Sequence, residues 1–77
     1  ESQLVEAAPV GDTTLVVVDA AEFAAADELT LRDTLGNEEE ATISSISGNT
    51  ITLTAGITGS YLVGDRVTAY KQFLPDG

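Results

Sequence analysis

Seventy-seven residues make one domain, and thirteen Asp and Glu against Arg32, Arg66 and Lys71 give it a formal charge of −10, which disfavours nucleic acid and anionic membrane as partners. The chain has no cysteine and no histidine, so it lacks disulfides, thiolate metal ligands and the usual general base. A hydrophobic content of 43% is nevertheless that of a folded core rather than of an acidic tail.

A domain of this size buries only about 60% of the surface its unfolded chain exposes, so neighbouring subunits are an expected source of support. The acidic, nearly lysine-free coat suits high salt, where counterions screen self-repulsion, and points to a halophilic setting. No run approaches the roughly 18 apolar residues of a membrane helix. A start at Glu1 instead of Met is expected of a processed or shortened chain.

Residues 1–9 read as an N-terminal arm in which Leu4 and Val5 could add an edge strand, since Pro9 removes a ladder donor. Thr14 to Val18 is the strongest strand, with Leu15 and Val17 facing the core. Val16 and Val18 are apolar as well, so this strand is covered on both faces or lies at a subunit contact. Asp19 to Asp27 is alanine-rich but too short for a stable helix. It reads as a loop with one helical turn and Phe23 plugging the barrel end. Glu28 to Arg32 alternates, with Leu29 and Leu31 inward.

Asp33-Thr34-Leu35-Gly36-Asn37 is a turn by its chemistry. Glu39 to Ile46 is the next strand, with Ala41 and Ile43 inward. Ile46 breaks the period of two, which predicts a bulge near Ser44-Ser45 that turns it inward again. Gly48-Asn49 is a hairpin signal leading into Thr50 to Thr54, with Ile51 and Leu53 inward. A loop then runs to Tyr61, Gly64-Asp65 turns, and Arg66 to Tyr70 closes the set with Val67 and Ala69 inward. Residues 10–71 thus form an all-β domain, a small five- to six-stranded antiparallel barrel or sandwich, followed by a tail at 72–77. Phe73 and Leu74 in that tail are wasted in water and suggest docking.

The chain also echoes itself. Gly11-Asp12-Thr13-Thr14-Leu15 leads to Phe23 and Asp27, as Gly48-Asn49-Thr50-Ile51 leads to Tyr61 and Asp65. Leu15 and Ile51 lie 36 residues apart and Phe23 and Tyr61 lie 38 apart, so the second loop is two residues longer. An internal pseudo-twofold repeat is expected.

Sites of chemistry are few. Asp33, Asn37 and Glu38-Glu39-Glu40 gather oxygens that a hard cation could use, but their spacing matches no calcium loop and reads better as a solvated acidic turn. Asp27 and Asp65 read as turn residues rather than as an acid–base pair. Phe23 and Tyr61 read as core rather than as a ligand platform. Without histidine, cysteine or a paired lysine nothing activates the many hydroxyls as nucleophiles. No catalytic residue, cofactor or metal ligand is assigned, and the chain is expected not to be an enzyme.

Val18-Asp19-Ala20, Phe23 and Asp27, then Ile43-Ser44-Ser45-Ile46-Ser47-Gly48-Asn49-Thr50, then Tyr61 and Gly64-Asp65-Arg66-Val67 resemble a pattern recurring in tailed-virus structural proteins. Small β-modules of this look occur in capsid-decorating, head–tail and tail proteins of phages and their archaeal counterparts. The resemblance spans residues 10 to 70 and consists of turn residues and alternating hydrophobics. It departs at Ala26, where the second half has Gly64; a positive φ there implies strain.

The resemblance implies a virion building block, localised to the particle, that docks on a capsid or tail lattice by many weak contacts. Its partners are other virion structural proteins, a major capsid or tail protein and further copies of itself, with no nucleic acid and no membrane. The expected contact residues are Leu4, Val5, Val16, Val18, Phe73 and Leu74. The alternative is a repeat or spacer module of an acidic microbial surface or adhesion protein, which exposed aromatics and a bound cation would favour.

Overall fold

The structure, a computed structural model, describes residues 2–70. The tail at 72–77, with Phe73 and Leu74, lies outside the described residues. Six strands follow in chain order: β1 (Ser2–Gln3), β2 (Thr14–Val16), β3 (Glu28–Arg32), β4 (Glu38–Ser47), β5 (Thr50–Leu53) and β6 (Arg66–Tyr70). Among the described residues there is no helix. All pairings are antiparallel, in the order β1-β6-β3-β4-β5-β2.

The sheet curls until its two outermost strands meet. Leu4, just past β1, bridges Val17, just past β2. Val5 N donates to Val16 O and Val18 N donates to Gln3 O, both at 2.9 Å. Such closure leaves few unpaired ladder groups to template aggregation.

Alternation sets the interior. Leu15, Val17, Leu29, Leu31, Ile43, Ile51, Leu53 and Val67 are buried, and Ala41, Ile46 and Ala69 pack partly against them. Each large aliphatic side chain removed from water contributes about 1.5–3 kcal/mol. The expected bulge is present: Ile43 pairs with Leu53 but Ser45 pairs with Thr52, leaving Ser44 as the extra residue. That single insertion is what returns Ile46 to the core side.

Two expectations change. In the N-terminal arm, where an edge strand at Leu4 and Val5 was expected, Ser2 and Gln3 pair with β6, and both Leu4 and Ala8 are buried in the core. Leu4 therefore serves this chain's own interior and is not available to a neighbour. The loop from Asp19 to Asp27 holds no helical turn either. Two isolated turns replace it, closed by Phe23 N to Ala20 O at 3.0 Å and Asp27 N to Ala24 O at 3.1 Å. Phe23 and Tyr61 are both buried, as core aromatics should be.

The repeat is written into the hydrogen bonds. Leu15 pairs with Ile51 and Thr30 with Thr68, each opposite its own counterpart, as a local twofold axis requires. The bond from Val17 N to Asn49 O, 2.9 Å, is matched by Leu53 N to Thr13 O, 2.7 Å. Leu4 N to Asp65 O, 2.9 Å, is matched by Ile43 N to Asp27 O, 2.8 Å. β1, β2 and β3 thus answer β4, β5 and β6, and Leu4 is the counterpart of Ile43. The axis supplies a means of comparing equivalent surface positions within one chain.

Candidate contact surface

The outer side of the closure is apolar. Leu4 and Val17 point inward, so Val5, Val16 and Val18 stand on the outside of the seam, with Val5 opposite Val16. Val5 is 44% exposed, Val18 57%, and Val16 is half-buried. The turn Leu62–Asp65 is tied to this seam by Gly64 N donating to Leu4 O at 2.8 Å. It adds Leu62 and Val63, both about two-thirds exposed. Asp65 is buried, and its Oδ2 accepts from Leu62 N at 2.9 Å, which is turn chemistry.

The twofold axis carries every one of these residues onto a polar or small one. Val5, opposite Val16, answers Ser45, opposite Thr52; Val16 answers Thr52 and Val18 answers Thr54, while Leu62 and Val63 answer Ala24 and Ala25. The two faces share one backbone design. Folding is satisfied on the β4–β5 side by serine and threonine, so it does not require valine at the seam.

Charge follows the same split. Across neighbouring strands the outer row runs Val18, Gln3, Arg66, Arg32, Glu38. Two arginines directly opposite one another repel, and Glu38 offsets this through a 3.0 Å contact to Arg32 Nε. Both side chains of that pair are more than half exposed, so it adds little stability. A shallow depression of about 240 Å³ is lined by Ser2, Gln3, Val18, Asp19 and Arg66. Its counterpart, about 290 Å³, is lined by Ala41, Thr42, Thr54, Ala55 and Glu28, joined there by Glu39 and Glu40. The equivalent hollows therefore differ in charge: Arg66 shares the first with Asp19, and the second carries glutamates alone.

The acidic turn divides its carboxylates among separate tasks. Asp33 Oδ1 accepts from Leu35 N and Asn37 N, both at 2.9 Å, and Asn37 Nδ2 donates to Asp33 Oδ2 at 3.0 Å. The Asn37 side chain is the main reason the Asp33 carboxyl lies below its ordinary value. Glu38 turns to Arg32. Among the described residues no three acidic side chains converge to hold a metal ion.

Glu39 has a role that its sequence position gave no sign of. Its Oε2 accepts from Thr58 N at 2.7 Å and Thr58 Oγ1 at 3.1 Å; its Oε1 accepts from Gly59 N at 2.9 Å and Tyr61 Oη at 3.0 Å. Burial pushes this carboxyl up, but the four donors outweigh it and the net shift is downward. Tyr61 is pushed well above its ordinary value by burial and by that carboxylate. The clamp pins the longer of the two echoed loops. It is a structural lock, with both carboxylate oxygens occupied.

Of the contact residues read from the sequence, the structure brings Val5, Val16 and Val18 together and puts Leu4 inside. Leu62, Val63 and Arg66 join them, a grouping only the strand register reveals. No protein-family model matches the chain, and neither does any of the curated proteins or solved structures compared with it.

Proposed function

We infer that this chain is a non-enzymatic contact module, and that its setting is the virion of a tailed virus, where it decorates or joins a capsid or tail lattice. The observation that carries the reading is the valine seam, apolar at Val5, Val16 and Val18 where the equivalent positions are Ser45, Thr52 and Thr54. Apolar side chains kept on a surface that folds equally well with polar ones are retained for binding. A barrel with its edges closed suits a crowded particle, because it offers side-chain contacts without open ladders. The charge of −10 fits a halophilic host. An adhesion module would draw on exposed aromatics, and burial of Phe23 and Tyr61 favours the lattice reading.

Quantitative mass spectrometry of density-purified particles from a culture that encodes the chain tests this. Peptides of the chain at a fixed, multi-copy ratio to the major structural protein are expected. Their absence from particles, with the chain abundant elsewhere in the culture, overturns it.

A further inference from the structure

The segment Ser2–Ala8 is held by parts of the chain far from it in sequence. Leu4 N donates to Asp65 O at 2.9 Å, Gly64 N donates to Leu4 O at 2.8 Å, and Ala8 and Tyr61 exchange two bonds of 2.8 Å. Val5 and Gln3 bond to Val16 and Val18 along the seam, and Ser2 Oγ accepts from Asp19 N at 3.1 Å. Leu4 and Ala8, each 1% exposed, fill the interior. These partners all lie from Val16 onward, so the slot that receives the segment is built by the rest of the chain. We propose that two copies of this chain exchange these segments, residues 2–8 of each filling the slot of the other. In the closed chain Leu4 has no surface to offer, and a neighbour reaches it by exchange alone. The inference is independent of what the valine seam binds, since it rests on the connection between β1 and β2.

The twofold axis shows why this segment can leave where its counterpart cannot. β4, the counterpart of β1, passes into β5 through the two residues Gly48-Asn49, too few to reach another molecule. β1 reaches β2 through residues 4–13. In that longer connection Val5, Glu6, Ala7, Pro9 and Val10 are exposed. Its far side is anchored by Gly11 N to Ile57 O and Ile57 N to Asp12 O, so the pivot is Pro9-Val10. The reversal there is closed by one bond, Asp12 N to Pro9 O at 3.0 Å, with Gly11 at a φ of 87°. Glycine enters positive and negative φ alike, so the pivot is free to turn. Pro9 has no N–H to lose, and its φ of about −65° suits an extended path as well as a turn.

Exchange remakes every bond of the segment and buries the same side chains. Closed and exchanged forms therefore differ only at the pivot and in the entropy of pairing two chains. A short flexible connection holds its own segment at an effective concentration in the mM range. Copies crowded to that concentration, as in a lattice, exchange on nearly equal terms. The open form between them sets Leu4 and its slot in water, so it is sparse and the exchange is slow.

The chain has no cysteine, so introduced thiols report without background. Val5 and Val16 are opposite neighbours on the seam, and such pairs have Cα atoms about 4.5–5.5 Å apart, within disulfide range. Full-length Val5→Cys and Val16→Cys chains are mixed, held at about 1 mM in roughly 1 M salt to screen repulsion, then diluted and oxidised. Neither can bridge within itself. Exchange is expected to yield the mixed disulfide between positions 5 and 16 at least tenfold above the two like disulfides, which random surface encounters form equally well. In a second arm both substitutions are placed in one chain and oxidised while dilute, which locks the segment in its own slot. The dimer fraction at about 1 mM, read by sedimentation, should be at least tenfold lower for the locked chain, and a reductant should restore it. Circular dichroism confirms folding in every case. Like disulfides as abundant as the mixed one, or a locked chain that pairs no less than the reduced one, overturn the exchange. The contact-module reading falls separately, by absence of the chain from particles.

Discussion

Ala26 and Gly64 occupy equivalent turns, with φ of 73° and 94°, and each donates its N–H at 2.8 Å, to Ile43 O and Leu4 O respectively. Glycine tolerates that backbone and alanine is strained by it. Ala26→Gly is therefore expected to stabilise the chain by roughly 0.5–1 kcal/mol, even after the added flexibility of the unfolded state. Gly64→Ala should cost roughly 1 kcal/mol by backbone strain alone, since a Cβ there meets nothing within 4 Å. Thermal melts of the two variants check both signs, and a destabilised Ala26→Gly would count against the equivalence of the turns.

Removal of the Glu39 clamp should loosen the loop at Thr58 to Tyr61. Glu39→Ala is expected to cost about 2 kcal/mol, because hydrogen bonds to a charged group contribute about 1.5–3 kcal/mol and the site is only partly buried. The folded-state carboxyl lies below its ordinary 4.5. Its contribution is then complete above that value and fades as pH falls through the lower, folded-state value. Urea titrations of wild type and Glu39→Gln should therefore differ at pH 7 and converge in acid. A gap that stays constant into strong acid would deny the clamp.

Gly56 lies where two loops cross. A Cβ there would fall 2.6 Å from the Gly11 carbonyl oxygen, which belongs to backbone and cannot swing aside. The same crossing is held by Gly11 N to Ile57 O at 2.8 Å and Ile57 N to Asp12 O at 3.0 Å. Gly56→Ala should cost about 1–3 kcal/mol through overpacking, with faster amide exchange at Gly11 and Ile57 as the local signature. An unchanged melting temperature would show that the loops do not touch.

The acid coat predicts a salt response. Raising sodium chloride from about 0.1 M to 1 M shortens the Debye length from ~10 to ~3 Å, which relieves repulsion among the carboxylates. The melting temperature should rise over that range. A flat or falling curve would remove the support for a halophilic setting.

Much of the fold was legible because its strands alternate cleanly. Leu29 and Leu31, Ile51 and Leu53, and the out-of-phase Ile46 with its bulge all follow from a period of two. Leu4 escaped because β1 is two residues long, too short to show a pattern, and its kinship with Ile43 appears only once the pairing is known. The loop around Phe23 looked helical for its alanines, yet its hydrogen bonds close two separate turns, Ala20 to Phe23 and Ala24 to Asp27, too short a stretch for a helix to sustain itself. On the contact surface, Val5, Val16 and Val18 stand out in sequence as apolar residues with no inward place. That Arg66 borders them, or that Glu28 holds the equivalent place on the other face, depends on register across four strands. The Glu39 clamp depends on where a loop 19 residues further on comes to rest.

The central claim is that the seam valines serve binding and not folding. Equilibrium unfolding in urea of the combined Val5→Ser, Val16→Thr and Val18→Thr variant, dilute enough to be monomeric, tests it most directly. The account expects a stability within about 1 kcal/mol of wild type, in line with substitutions outside a core. A loss of about 3 kcal/mol or more, the mark of a disrupted interior, would place those valines in the fold's own packing and contradict it.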